Sequence, residues 1–109
     1  MTSFQAGDLV LVDFPFTASG QTKPRPALVI LDTGDADVLL ARVTTQPVHT
    51  THDVPVKDWR QAGLLAPSFV RLHKLATIAK ARVRQRLGSL PPADRQQVGA
   101  VIRQLTANW

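Results

Sequence analysis

The sequence predicts a mainly β fold: a small antiparallel sheet or barrel with one helix at its C-terminal end. Three observations lead to this prediction. Short runs rich in Val, Ile and Leu recur between Gly, Pro and Asp turn signals as far as residue 87. Only the last segment repeats its apolar residues at helical spacing. No apolar run approaches the roughly 20 residues that a membrane-spanning helix needs.

The composition predicts one domain, residues 1–109, with a packed core. Of the 109 residues, 44% are hydrophobic and 19% are charged. The absence of cysteine excludes disulfides, thiol nucleophiles and thiolate metal ligands. The segment Met1–Gln5 has neither the basic nor the apolar region of a secretion signal. We therefore expect a cytoplasmic protein without a membrane anchor.

The net charge of +5 is unevenly distributed along the chain. Residues 1–60 hold five Lys or Arg against seven Asp, whereas residues 61–109 hold eight Lys or Arg against Asp94 alone. There is no glutamate. This asymmetry indicates a polyanionic partner, either a nucleic acid or an acidic protein segment.

Three strands are predicted in the first half of the chain. They are Leu9–Phe14, Arg25–Asp32 and Ala36–Thr45. Alternate residues of the third strand are apolar on both sides, which predicts burial of both faces. A polar loop, residues 16–24, separates the first two strands. It exceeds a tight hairpin, and long loops in compact domains are often functional.

The second half predicts four short strands, one helical turn and a helix. The strands are Asp53–Val56, Ser68–Leu72, Leu75–Ile78 and Arg82–Leu87. Pro55 places the first of these at a sheet edge, and Gly63 closes a helical turn that begins at Asp58. In the final helix, Pro92 suits the first position, Asp94 lies in the first turn, and apolar residues recur at i, i+3, i+4 and i+7 from Val98. Together these elements suggest a small curled antiparallel sheet or an SH3-like barrel.

Arg25 stands between two prolines at the start of the second strand. Pro24 and Pro26 restrict the backbone around it. Its side chain therefore projects from a well-defined point at the end of the loop, which suits phosphate binding. The residues leave open the alternative that Arg25 pairs with a surface carboxylate.

The remaining polar residues favour chemistry without a metal or a cofactor. His49, His52 and Asp53 lie close in sequence, but they lack a third spaced ligand. The chain has no Gly-rich phosphate loop, nucleophile elbow or glutamate, which argues against nucleotide-dependent chemistry and glycoside hydrolysis. We therefore expect no metal site and no cofactor.

The candidate site residues are basic or hydroxyl-bearing, and they suit phosphodiester transfer in RNA, where the substrate supplies its own 2′-hydroxyl nucleophile. The set is Thr17, Ser19, Arg25, Thr44, Thr45, Gln46, His49 and His52. Simpler interpretations stay open: Thr44 and Thr45 as ordinary strand-end residues, His73 as a half-buried strand residue, and the basic residues of 82–86 as a solvated face.

Four segments resemble the MazF/PemK family of toxins. They are Gly7–Phe14 (GDLVLVDF), Arg25–Ile30 (RPALVI), Val43–Gln46 (VTTQ) and Leu75–Lys80 (LATIAK). The first two are specific when found together, and the order of all four is the family's order. The match runs across nearly the whole chain.

The resemblance implies the toxin of a type II toxin–antitoxin system. The family consists of homodimeric SH3-like barrels that act as ribosome-independent endoribonucleases. They cleave single-stranded RNA, including mRNA, at a short sequence without metal, leaving 2′,3′-cyclic phosphate and 5′-hydroxyl ends. A cognate acidic antitoxin covers the RNA groove. These properties are expectations for the present chain.

Carried over to this sequence, the family's catalytic arginine is Arg25 and its threonine is Thr44, with Thr45 as the neighbouring alternative. The family's substrate loop places Ser19, Gly20 and Gln21 near RNA. The full set of predicted RNA-binding residues is Thr17, Ser19, Gly20, Gln21, Lys23, Thr45 and Gln46.

Proton transfer is the open step of this mechanism. Arginine keeps its proton near neutral pH, whereas imidazole titrates there, so His49 or His52 is the better acid or base. The sequence departs from the family at His73 and Lys74, where an acidic residue and a glutamine are common, and at Pro91, where a Ser or Thr cap is common. The first departure bears on the dimer contact or the electrostatics of the site.

Two functions of other classes stay open. One is a toxin of the same fold that inhibits DNA gyrase by protein–protein binding. The other is a non-catalytic RNA-binding module, which the scarcity of aromatic residues for base stacking disfavours: two Trp, four Phe and no Tyr. The combination of Arg25 and Thr44 favours the nuclease.

Overall fold

The computed structural model describes residues 3–14, 23–47 and 50–109. These residues form strands β1 (Asp8–Phe14), β2 (Lys23–Leu31), β3 (Asp37–Thr44), β4 (Asp53–Pro55), β5 (Phe69–Ala79) and β6 (Val83–Ser89), a 3-10 turn (Lys80–Arg82) and helix α1 (Pro92–Leu105). The predicted strands occur in the predicted order. The division of residues 68–78 into two strands is wrong, because β5 continues through the polar residues His73 and Lys74 at a strand irregularity.

The strands form one antiparallel sheet with the order β4-β5-β3-β2-β1-β6. The position of β4 at one edge follows from Pro55, which cannot donate a hydrogen bond to a further strand. The predicted mainly β fold with a C-terminal helix is confirmed. Among the described residues, however, no pairing joins β4 to β6, so the six strands form an open sheet and not a closed barrel.

Apolar side chains cover both faces of this sheet, as the third predicted strand required. The larger cluster includes Leu9, Leu28 and Val43 and receives Val98 and Val101 from α1. The smaller cluster lies on the opposite face, and its buried members are Val10, Val12, Ala27, Val29, Val38, Leu40 and Ile78. Since neighbouring residues of a strand alternate between the two clusters, α1 packs against one face only. The smaller cluster lies on the face that α1 does not cover.

The first turn of α1 contains a buried carboxylate. Asp94 is 2% exposed, and its two oxygens accept the backbone N–H groups of Lys57 at 2.9 Å and Asp58 at 3.1 Å. This residue therefore joins the helix to the segment after β4, a contact that sequence reasoning did not foresee. No helix in the described part of the chain is long and apolar enough to span a membrane.

The turn that ends at Gly63 confirms the predicted helix-terminating motif. The N–H of Leu64 donates to the carbonyl of Trp59 at 2.9 Å, and that of Gly63 donates to Arg60 at 3.1 Å, which is the Schellman pattern. Gly63 has a φ of +91°, and a Cβ there would collide with the carbonyl of Leu87 in β6. Glycine is therefore required at this position.

Candidate functional site

Arg25 and Arg42 project from the sheet face that α1 does not cover. Arg25 lies opposite Val12 in the β1–β2 pair, and Arg42 lies opposite Ala27 in the β2–β3 pair. Side chains directly opposite each other in an antiparallel pair share one face. Val12 and Ala27 belong to the smaller apolar cluster. Both arginines therefore lie on the same face of the sheet as this cluster, next to its buried residues.

These arginines line a cleft of about 330 Å³, called the cationic cleft below. Its walls are formed by Phe14, Lys23, Arg25, Arg42, Lys74, Leu75 and Ala76. Four of the seven side chains are cations, all four are exposed, and none of the seven is a carboxylate. The cleft is therefore suited to bind an anion.

Within the described residues, no aspartate forms an ion pair with a cation of the cleft. All eight Asp residues of the chain lie in the described ranges. The ion pairs that they form within those ranges are Asp8–Arg86, Asp13–Arg84, Asp32–Lys80 and Asp53–His73. None of these pairs includes a cation of the cleft. The alternative that Arg25 pairs with a surface carboxylate finds no support among the described residues.

At the edge of the sheet next to β1, in contrast, the basic side chains are paired with carboxylates. Lys80 of the 3-10 turn and Arg84 and Arg86 of β6 form what we call the β6 edge. The Nε of Arg84 lies 2.9 Å from Asp13 Oδ1, and that of Arg86 lies 3.2 Å from Asp8 Oδ1. Each of these cations therefore faces its own carboxylate. The predicted solvated basic face is thus partly neutralised by aspartates of β1.

The third pair of this edge is the most buried. Lys80 Nζ lies 2.8 Å from Asp32 Oδ1, and the Asp32 side chain is 2% exposed. The backbone N–H groups of Phe4 and Gly34 donate to the same carboxylate at 2.7 Å and 2.8 Å. The hydrogen bond from Lys80, followed by those from Phe4 and Gly34, lowers the pKa of Asp32 from 3.8 to about 2.

Thr44 lies near the cationic cleft but is not among the residues that line it. It ends β3 and, two residues after Arg42, shares the face of Arg42. Its Oγ1 accepts the backbone N–H of Gln46 at 3.1 Å. This bond uses an oxygen lone pair and leaves the hydroxyl hydrogen able to donate to a ligand. Thr45 and Gln46 follow the strand as exposed residues.

His52 does not line the cationic cleft. It is half-buried in the turn before β4, and its ring centroid lies 6.0 Å from that of His73. The Nδ1 of His73 lies 3.9 Å from Asp53 Oδ1. The described residues contain no group of three or more His, Cys, Asp or Glu that could hold a metal ion. The acid–base role of His52 stays a prediction.

Five predicted site residues lie outside the described residues: Thr17, Ser19, Gly20, Gln21 and His49. The ends of the loop that contains the first four are nevertheless described. Phe14 and Lys23 face each other in the β1–β2 pair, and both line the cationic cleft. The two described residues that flank residues 15–22 therefore both line the cleft.

Sequence reasoning missed Arg42, Lys74 and Phe14 as residues of this cleft. Arg42 offered a usable signal, because it is the one charged residue between Val38 and Val43 in an otherwise apolar strand. Lys74 offered a weaker signal, as a departure from the family pattern that bears on the dimer contact or the electrostatics of the site. Its place in the cleft depends on the irregularity of β5, which the sequence does not reveal.

A sequence model described as PemK-like, MazF-like toxin of type II toxin–antitoxin system matches residues 5–106. No curated protein sequence matches the chain significantly. Among solved structures, an endoribonuclease in complex with its cognate antitoxin from a mycobacterial species has a TM-score of 0.76 at 17% identity, covering 96% of each chain. The Mycobacterium tuberculosis toxin MazF-mt6 has a TM-score of 0.73 at 21% identity, covering 92% of this chain and 96% of that chain. A MazE–MazF structure from Deinococcus radiodurans has a TM-score of 0.73 at 18% identity, covering 97% of each chain.

Proposed function

We propose that this chain, which belongs to the PemK-like, MazF-like toxins of type II toxin–antitoxin systems, is a ribosome-independent endoribonuclease. Its substrate is single-stranded RNA, including mRNA, cut at a short sequence. The observation that carries the proposal is the cationic cleft, where Arg25 and three further cations line one cavity without a carboxylate. The names of the similar mycobacterial structures, which call them endoribonucleases, support the same conclusion.

The reaction begins with attack of the RNA 2′-hydroxyl oxygen on the adjacent phosphorus. The bond from phosphorus to the 5′-oxygen breaks, the 2′-hydroxyl proton passes to a base, and the leaving 5′-oxygen takes up a proton. The products are a 2′,3′-cyclic phosphate and a 5′-hydroxyl. In our proposal Arg25 binds the non-bridging oxygens and stabilises the charge that develops on them, and Thr44 donates a hydrogen bond beside it. No metal or cofactor takes part.

The two proton transfers are assigned to imidazole and not to Arg25, because a guanidinium group stays protonated at neutral pH. His49 and His52 are the candidates. A limb of the pH–rate profile that disappears when one of them is replaced by Gln would support this assignment. A profile unchanged in both Gln variants would contradict it.

We further propose that the chain acts in the cytoplasm as one domain and forms a homodimer held in check by an acidic antitoxin. The excess of positive charge in the cationic cleft suits an acidic segment of such a partner. Complexes with an antitoxin among the similar structures support its existence. Light scattering behind size-exclusion chromatography measures the dimer, and a monomer at micromolar concentration would contradict that part.

The test of the nuclease is incubation of the purified chain with single-stranded RNA in EDTA, followed by mapping of both new ends. We expect discrete cuts with cyclic phosphate and 5′-hydroxyl termini, abolished by Arg25→Ala. Arg103→Ala is the matched control, since Arg103 is an exposed cation of α1, on the other side of the sheet. Intact RNA together with inhibition of DNA gyrase would overturn the proposal.

A further inference from the structure

We propose that Arg42 and Lys74 form a second phosphate-binding site, which holds the RNA phosphate next to the one that Arg25 binds. This inference rests on the proposed RNA substrate and extends it to two residues that carry no assigned role. It concerns binding of the RNA strand and its orientation, whereas Arg25 and Thr44 act at the scissile phosphate.

The position of Arg42 relative to Arg25 is the first argument. Arg42 lies opposite Ala27, two residues along β2 from Arg25, so Arg25 and Arg42 are diagonal neighbours on one face, about 7–8 Å apart along the backbone. Ala27 is small and fully buried, so it raises no barrier between them. This separation resembles the spacing of successive phosphates in an extended single strand.

The irregularity of β5 is the second argument, because it brings Lys74 to the same cavity. Ala41 pairs with Leu75 and Arg42 pairs with Arg71. The three residues between Arg71 and Leu75 therefore have no partner in β3. Such bulges redirect side chains and are frequent beside active sites. Here the bulge places Lys74 in the wall that contains Arg42.

The absence of a competing carboxylate is the third argument. Neither Arg42 nor Lys74 forms an ion pair within the described residues, and no Asp lines the cleft. Both side chains are exposed, so a phosphate reaches them without displacing a protein partner. The planar guanidinium of Arg42 can hold two phosphate oxygens at once, and Lys74 adds a point charge.

The test measures binding of an uncleavable 2′-O-methyl version of the RNA that the chain cuts, across a series of salt concentrations. In single strands each neutralised phosphate contributes about −0.7 to the slope of log K against log salt. We expect Arg42→Gln and Lys74→Gln each to reduce the slope by up to about 0.7. Arg103→Gln, which removes an equal charge from the other side of the sheet, should leave the slope unchanged.

Two further readouts separate this role from a structural one. Arg42→Lys should leave the slope of log K against log salt unchanged, because the charge remains. It should still weaken binding, because lysine lacks the planar guanidinium that can hold two phosphate oxygens at once. With the cleavable RNA, Arg42→Gln and Lys74→Gln should raise KM several-fold and leave kcat nearly unchanged, as expected for contacts made equally in the ground state and the transition state.

The outcomes distinguish this inference from the proposed function. Cleavage by the wild type with salt slopes and KM values unchanged in both Gln variants would overturn the second phosphate site and leave the nuclease intact. A wild type that neither binds nor cuts RNA would overturn both. Equal slope losses in Arg42→Gln, Lys74→Gln and Arg103→Gln would also overturn the inference, because the effect would then be one of net charge.

Discussion

Two regions of this molecule present lysine and arginine side chains, the cationic cleft and the β6 edge. At the β6 edge, Lys80, Arg84 and Arg86 each lie within 3.2 Å of an aspartate oxygen. In the cleft, four cations share a cavity of about 330 Å³ with no carboxylate in its walls. The same residue types thus serve to hold the fold in one region and stand available for a ligand in the other.

The comparison shows that a count of charges does not locate an anion-binding surface. The basic residues of 82–86 are the densest basic run in the sequence, yet two of its three arginines face aspartates. The four cations of the cleft come from three separate strands, β2, β3 and β5. Positive charge matters for binding where nothing nearby cancels it, and this depends on the strand pairing.

The largest effect is expected from the removal of one arginine in each region. Arg25→Gln should lower kcat about 100- to 1000-fold, as loss of a preorganised donor to a developing charge does. Arg84→Gln should leave kcat within about twofold, because Arg84 already faces Asp13. Single-turnover cleavage measures both, and comparable losses in the two variants would remove the distinction between the regions.

A smaller effect is expected at the end of β3. Thr44→Val should lower kcat about 10- to 150-fold, the value of one hydrogen bond of about 1.5–3 kcal/mol to a charged group in the transition state. Thr44→Ser should restore most of the rate, because it keeps the hydroxyl. Thr45→Val is the matched control one residue further along. A larger loss in Thr45→Val than in Thr44→Val would transfer the role to Thr45.

The β6 edge can be turned into a second binding surface by removal of a carboxylate. Asp13→Asn frees Arg84, so the slope of log K against log salt for RNA should steepen by up to about 0.7. Cleavage should change little. Asp58→Asn removes an equal charge from an exposed position outside the β6 edge and should leave the slope as it was. Identical slopes in the two variants would show that Asp13 does not mask Arg84.

The smallest effect concerns stability in acid. The pKa of Asp32 is about 2, below its usual 3.8, so the unfolded chain binds more protons than the folded one between these values. The stabilisation by Asp32 is present above about pH 4 and is lost as the pH falls towards 2. Urea unfolding should show Asp32→Asn less stable than wild type at pH 6, with the difference shrinking below pH 4. A constant difference would contradict this.

Local sequence signals predicted most of the fold. The two prolines around Arg25, Gly63 and Pro92 act through their own backbone, so their effects can be derived without tertiary structure. The prediction that the strand breaks near His73 and Lys74 was wrong, because a single strand continues through these polar residues at an irregularity in its pairing. The choice between an open sheet and a closed barrel could not be made from the sequence, since closure depends on whether the two edge strands meet.

The residues of the candidate site were predicted in part. Arg25 was predicted to bind phosphate and Lys23 to bind RNA, and both line the cleft. Arg42 and Lys74 were missed, because their place depends on the register of β3 against β2 and β5. His52 shows that closeness in sequence does not predict closeness in space. It is near Thr45 in sequence, yet its ring lies beside that of His73, and His52 does not line the cleft.

The most direct test of the central claim is a crystal structure of the protein with an uncleavable 2′-O-methyl oligonucleotide. The quantity to measure is the distance from the scissile phosphate oxygens to the guanidinium of Arg25. We predict contacts of about 2.7–2.9 Å, typical of a charge-assisted hydrogen bond, within the cationic cleft. An oligonucleotide bound along the β6 edge, with no phosphate at Arg25, would contradict the account.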